Sequence, residues 1–201
     1  GTNRSAELLD YYCELLETYY DLMDKRVGIK PSPTLRRTKM KVNIYKSHEE
    51  FLELSAAGPG GSVLGYFWPY DQSLNFYHDY QEPSRSEWVA LHEGTHLLTY
   101  LIDPQFQPSA KSIWVNEGVA DLFGSADIVR DKQGKLEIAP GKLQTDRVLT
   151  VQQAIKEGND TTLEELMHLD RGAFDGFQYA HAWSFMYFLT ESPQYEKGFK
   201  S

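Results

Sequence analysis

At 201 residues, 41% hydrophobic and 13% aromatic, the chain holds enough bulky apolar material for one compact domain with at most a small appendage, which excludes a largely disordered protein. A formal net charge of -9 leaves no general attraction to phosphate backbones or anionic lipid, so nucleic acid is excluded as a partner, and no run of about 18 apolar residues exists to span a membrane. The single cysteine, Cys13, excludes an internal disulfide and a cysteine-rich metal cluster.

Residues 5 to 25 place Leu8, Leu9, Tyr12, Leu15, Leu16, Tyr19 and Leu22 at three- and four-residue steps, the pattern of an amphipathic helix, with Cys13 as a small core residue among them. The basic stretch that follows, with Arg26, Lys30, Arg36, Arg37 and Lys39, is broken by Pro31 and Pro33 and reads as a solvated linker. The chain therefore divides into an N-terminal helix and linker, 1–35, and a main domain, 36–201. Lys39 to Tyr45 alternates polar residues with Met40, Val42 and Ile44, a half-buried strand, and Ser47 with Glu50 opens a short helix through Ala57 as a capping box.

After the break at Gly58-Pro59-Gly60-Gly61, Ser62 to Trp68 and Ser73 to His78 are predicted to form a hairpin around Pro69-Tyr70-Asp71-Gln72. Tyr66, Trp68 and Tyr70 on it either line a substrate cleft or pack the hairpin's apolar face. Ser84 with Glu87 forms a second capping box for a helix running to about Ile102, where Asp103-Pro104 stops it. Residues 104–111 read as a loop, and Asn116 caps a helix from Glu117 to about Gly124. A second hairpin over Ile128 to Ile138 and helices over 144–157, 162–169 and 178–190 complete an order that predicts an α+β fold.

The predicted helix 84–102 contains His92-Glu93-Gly94-Thr95-His96, an H-E-x-x-H spacing. One helical turn separates the two histidines, so both imidazoles leave the same face and converge on one ion, while Glu93 points beside it. A catalytic zinc site needs a third protein ligand and an open position for water, and Glu117, 21 residues beyond His96, supplies a carboxylate from a second helix. Asp121 lies one turn further on the same face, placed to accept the free N–H of a ligand histidine. Two histidines and a carboxylate suit zinc best, one ion per chain, and would accept other divalent ions.

These residues, with Asn116-Glu117-Gly118-Val119-Ala120-Asp121, resemble the gluzincin pattern of thermolysin-like metallopeptidases over roughly residues 84 to 126, and the chain looks closest to small bacterial zincin domains of the peptidase MA clan. The resemblance implies His92, His96 and Glu117 as zinc ligands, Glu93 as general base, and Asp121, with Asn116, as residues orienting the ligands. It implies a zincin-like fold: a small, mostly antiparallel sheet over the active-site helix, with a peptide or protein substrate along the sheet edge, then a largely helical C-terminal part. Gln178-Tyr179-Ala180-His181-Ala182-Trp183-Ser184 resembles the segment where such enzymes set a tyrosine or histidine against the oxyanion, which makes Tyr179, ahead of His181, the candidate donor. Core packing in an aromatic-rich helix is the competing role for Tyr179.

The expected activity is thus peptide hydrolysis by zinc-activated water, without a covalent intermediate; the alternative is an inactive zincin-fold binding module carrying a relict metal site. His48, His78 and His168 lack partners at ligand spacing and are expected to be structural or surface residues. The start at Gly1 without Met and the stop at Ser201 read as those of a piece excised from a longer protein, truncated at its C-terminus. Export from the cytoplasm is suggested by analogy alone.

Overall fold

The computed structural model describes residues 3–29, 40–56, 61–102 and 113–195. The expected linker around Pro31 and Pro33 with the boundary near residue 35, the break at Gly58-Pro59-Gly60, the Asp103-Pro104 stop, the 104–111 loop and the last residues up to Ser201 lie outside the described residues.

Helix α1 (Asn3–Val27) buries one stripe, Tyr12, Leu15, Tyr19 and Met23, at three- and four-residue steps. The stripe is narrower than expected: Leu9 is half exposed, and Cys13, one residue past Tyr12 and so about 100° around the helix, faces outward instead of joining the core. The buried face packs in one apolar cluster with Val89, Leu91 and Leu98. Glu14 ties α1 to the rest of the chain through the Arg130 guanidinium, at 2.8 Å, and the Leu136 amide.

Strands β1 (Lys41–Tyr45), β2 (Gly65–Trp68) and β3 (Ser73–Tyr77) form a sheet in the order β1-β3-β2, with every residue of β3 buried. The β2–β3 hairpin is antiparallel as expected, whereas β1 runs parallel to β3, pairing Val42 with Leu74 and Ile44 with Phe76. This corrects the mostly antiparallel sheet: helix α2 (His48–Leu54) carries the chain from β1 across to the far edge, and the hairpin then returns it in the direction of β1. Ser47 caps α2 by accepting from the Glu50 amide, and Phe51 is its fully buried anchor under the rings of Tyr45, Tyr66 and Tyr77.

Helix α3 (Pro83–Ile102) crosses beneath the sheet. It opens on Pro83, whose missing N–H suits a first helical position, so Ser84 lies inside the first turn instead of capping it, and Glu87 accepts from the Tyr11 hydroxyl of α1. The sheet approaches closely at Gly65, where a Cβ would stand 2.4 Å from a Val89 methyl. Helix α4 (Ile113–Gly124) begins earlier than expected, which places Asn116 within it and not at its cap.

The hairpin of β4 (Asp127–Arg130) and β5 (Leu136–Ala139) follows, then α5 (Thr145–Glu157), α6 (Leu163–His168) and α7 (Gly176–Glu191), close to their predicted spans, with an unpredicted 3-10 turn at Arg171–Ala173 ahead of α7. Helix α7 packs on α4 so tightly that a Cβ on Gly118 would lie 2.8 Å from the Ala182 carbonyl oxygen. The architecture is α+β with small mixed sheets, and among the described residues no helix is long and apolar enough to cross a membrane.

Because α1 shares the cluster that supports α3, Leu15→Ala is expected to lower the unfolding free energy by about 2–5 kcal/mol in urea denaturation. A loss under about 0.5 kcal/mol, the scale of surface changes, would show instead that α1 is a detachable appendage.

Candidate metal centre

His92 and His96 leave the same face of α3 one turn apart, and their Nε2 atoms stand 3.2 Å from each other. From α4, Glu117 brings Oε2 to 3.3 Å from His92 Nε2 and 3.5 Å from His96 Nε2. All three side chains are buried, and among the described residues they form the group of histidine, cysteine and acidic side chains placed to hold a metal. Donors bound tetrahedrally at zinc–ligand lengths of about 2.0–2.1 Å lie about 3.3 Å from one another, so this triangle has the size that such coordination requires.

Each histidine is gripped from behind. His92 Nδ1 lies 3.0 Å from Asp121 Oδ1, and His96 Nδ1 bonds Asn116 Oδ1 at 3.0 Å. An amide oxygen at His96 Nδ1 and a carboxylate oxygen 3.0 Å from His92 Nδ1 favour ring protons on those nitrogens, and both Nε2 atoms face each other and the Glu117 carboxylate. Three such donors converge stably only around a cation. Without a metal the cation is a proton: burial opposes charge on His92, but the Asp121 and Glu117 carboxylates override it and push the imidazole up to about 10. Burial likewise works to raise the Glu117 carboxyl, yet the two histidines hold it well below the usual carboxylate range.

Two arginines complete the surroundings, and no motif pointed to either. Arg147 of α5 meets Asp121 Oδ2 at 2.8 Å and donates from Nε to Gln144. Asp121 has no exposed surface, so the guanidinium balances a carboxylate that it shares with His92. Arg171, on the 3-10 turn, donates to Glu117 Oε1 at 2.9 Å. Salt-bridge partners 54 residues apart, on elements with no shared periodicity, leave no trace in the sequence.

Glu93 sits beside the triangle and accepts a hydrogen bond at 2.8 Å from the Phe67 amide of β2. The cavity in front, of about 520 Å³, is lined by Gly65 to Phe67 of β2, by His92, His96 and Glu117, and by Glu93, Arg171 and Tyr179. Burial, chiefly, and the Glu117 carboxylate raise the Tyr179 hydroxyl well above the usual phenol range, so it stays protonated as a donor. Of the hairpin aromatics, Tyr66 lines the cavity, while Trp68 and Tyr70 lie outside its lining and are exposed.

His181 follows Tyr179 by two residues, hence about 200° around α7, and packs against Phe177 away from the cavity lining. The remaining histidines have structural partners: His78 bonds the Tyr12 hydroxyl, His48 the Val63 carbonyl, and His168 the Glu164 carbonyl. A larger cavity, about 790 Å³ between α5 and α7, is lined by side chains such as Gln153, Lys156 and Asn159 and contains none of the ligand group.

The family described as a protein of unknown function (DUF1570) matches residues 89–198, a span running from the histidine helix through Glu117 and Arg171 to α7. No curated protein and no solved structure matches the chain.

Equilibrated with zinc and dialysed, the protein is expected to retain about one ion by elemental analysis, His96→Ala to lose it, and Asp121→Ala to bind about 10–100-fold more weakly by chelator competition. Wild-type protein that retains no metal would overturn the assignment.

Proposed function

The chain belongs to the DUF1570 family, and we propose that it is a zinc-dependent hydrolase, specifically a peptidase of gluzincin type within a zincin-like fold. The observation that carries this reading is a buried His92, His96 and Glu117 triangle of coordination size with the Glu93 carboxylate beside it and a cavity in front. Zinc bound there would bring a coordinated water's pKa to near 7 and polarise the scissile carbonyl.

Glu93 takes a proton from the attacking water and delivers it to the leaving amine, a general acid–base role suited to a carboxylate anchored by the Phe67 amide. That hydrogen bond keeps Glu93 at the cavity floor without neutralising it. Tyr179, protonated and on the cavity wall, donates to the charge that develops on the carbonyl oxygen. His181, turned away, takes no part. Strand β2 is an edge strand bordering the cavity, so an extended peptide can add alongside it; this favours a peptide or protein substrate over other hydrolysable groups.

Glu93→Gln is expected to keep its zinc and to lose about 10²–10⁴-fold in kcat/KM against a fluorogenic peptide library. Equal cleavage by the variant would remove Glu93 from the mechanism. A zinc-loaded wild type that cleaves no peptide would turn the reading toward a metal-bearing binding module.

A further inference from the structure

The two oxygens of Glu117 have different neighbours. Oε2 faces both histidine Nε2 atoms, at 3.3 and 3.5 Å, whereas Oε1 accepts from Arg171 at 2.9 Å. The carboxylate is almost fully buried, but the arginine side chain is 62% exposed and reaches it from the cavity rim. Its backbone is held by consecutive caps: Asp170 accepts from the Ala173 amide to close the 3-10 turn, and Asp175 with Gln178 forms the capping box that starts α7. The guanidinium is thus delivered from a braced turn to one oxygen of one ligand.

A carboxylate can ligate through one oxygen or both, and taking both would add a fifth donor to a site of three protein atoms and one water, crowding the position that a catalytic zinc site keeps open. We propose that Arg171 is a positioning residue that occupies Glu117 Oε1 and so restricts this ligand to Oε2, leaving the remaining position open. The proposal rests on the metal-hydrolase reading and concerns how many protein atoms reach the ion. Arginine suits the task because it never loses its charge and its planar fork matches a carboxylate oxygen without competing for the metal.

The test is the visible absorption of the cobalt(II)-loaded protein, whose intensity reports coordination number independently of turnover. Wild type is expected to give the intense four-coordinate pattern; in Arg171→Gln the freed oxygen joins the ion, and the bands weaken by about half or more toward five-coordinate character. Arg171→Lys, which still offers a cation to Oε1, is expected to restore the wild-type intensity. Circular dichroism checks folding, and Arg171→Met supplies the same readout should glutamine disturb it. Wild-type and Gln-variant spectra that coincide overturn the role of Arg171 and leave the hydrolase reading standing; a wild type that binds neither cobalt nor zinc overturns both.

Discussion

Three atoms bearing lone pairs, His92 Nε2, His96 Nε2 and Glu117 Oε2, lie 3.2–3.5 Å apart in a space almost closed to water. Uncompensated, such lone pairs repel, and the partners behind them together with a shared cation, a proton or a metal, offset that repulsion. Much of the fold serves that convergence. Helix α4 must lie close enough to α3 for a glutamate to reach across, so Gly124 meets the Trp88 and His92 side chains, and Gly118 lets α7 close on the other face of α4.

Behind the donors stands a layer of fixed partners. Asp121 and Asn116, both on α4, hold the Nδ1 atoms, and Arg147 holds Asp121 in turn. The opposite face of α3 is braced by α1, where the buried Tyr19 hydroxyl bonds Thr95 Oγ1, which itself donates to the Leu91 carbonyl. Thr95 lies between the two histidines in the chain, so the contact restrains the turn that sets their spacing. The N-terminal helix is thus in direct contact with the turn of α3 that carries the two histidines.

In front, a hydrogen bond from the Phe67 amide to Glu93 joins the sheet to the candidate metal centre. Gly65 allows β2 to settle on Val89 of α3, and that approach brings an edge strand to the rim of the cavity. The same contact that fixes the proposed base also aligns the strand beside which the proposed substrate would lie. Arg171, on the turn that precedes α7, and Tyr179, in the first turn of α7, line the same cavity.

The grouping of His92, Glu93, His96, Glu117 and Asp121 was legible in the sequence because they sit on two helices, and helical periodicity converts spacing directly into shared direction. The α+β class and most element spans follow from the same local rules: apolar periodicity, capping residues and glycine or proline breaks. What local rules could not supply was the choice of partner between distant elements. The parallel docking of β1 on β3, the outward turn of Cys13, the interior position of Asn116 and the two arginine contacts each depend on which surfaces meet after folding. The sequence by itself determined the two helices and the residue types that converge in the candidate metal centre; only tertiary packing decided which side chains stand behind and beside them, because a hydrogen bond or ion pair between remote segments has no period to read.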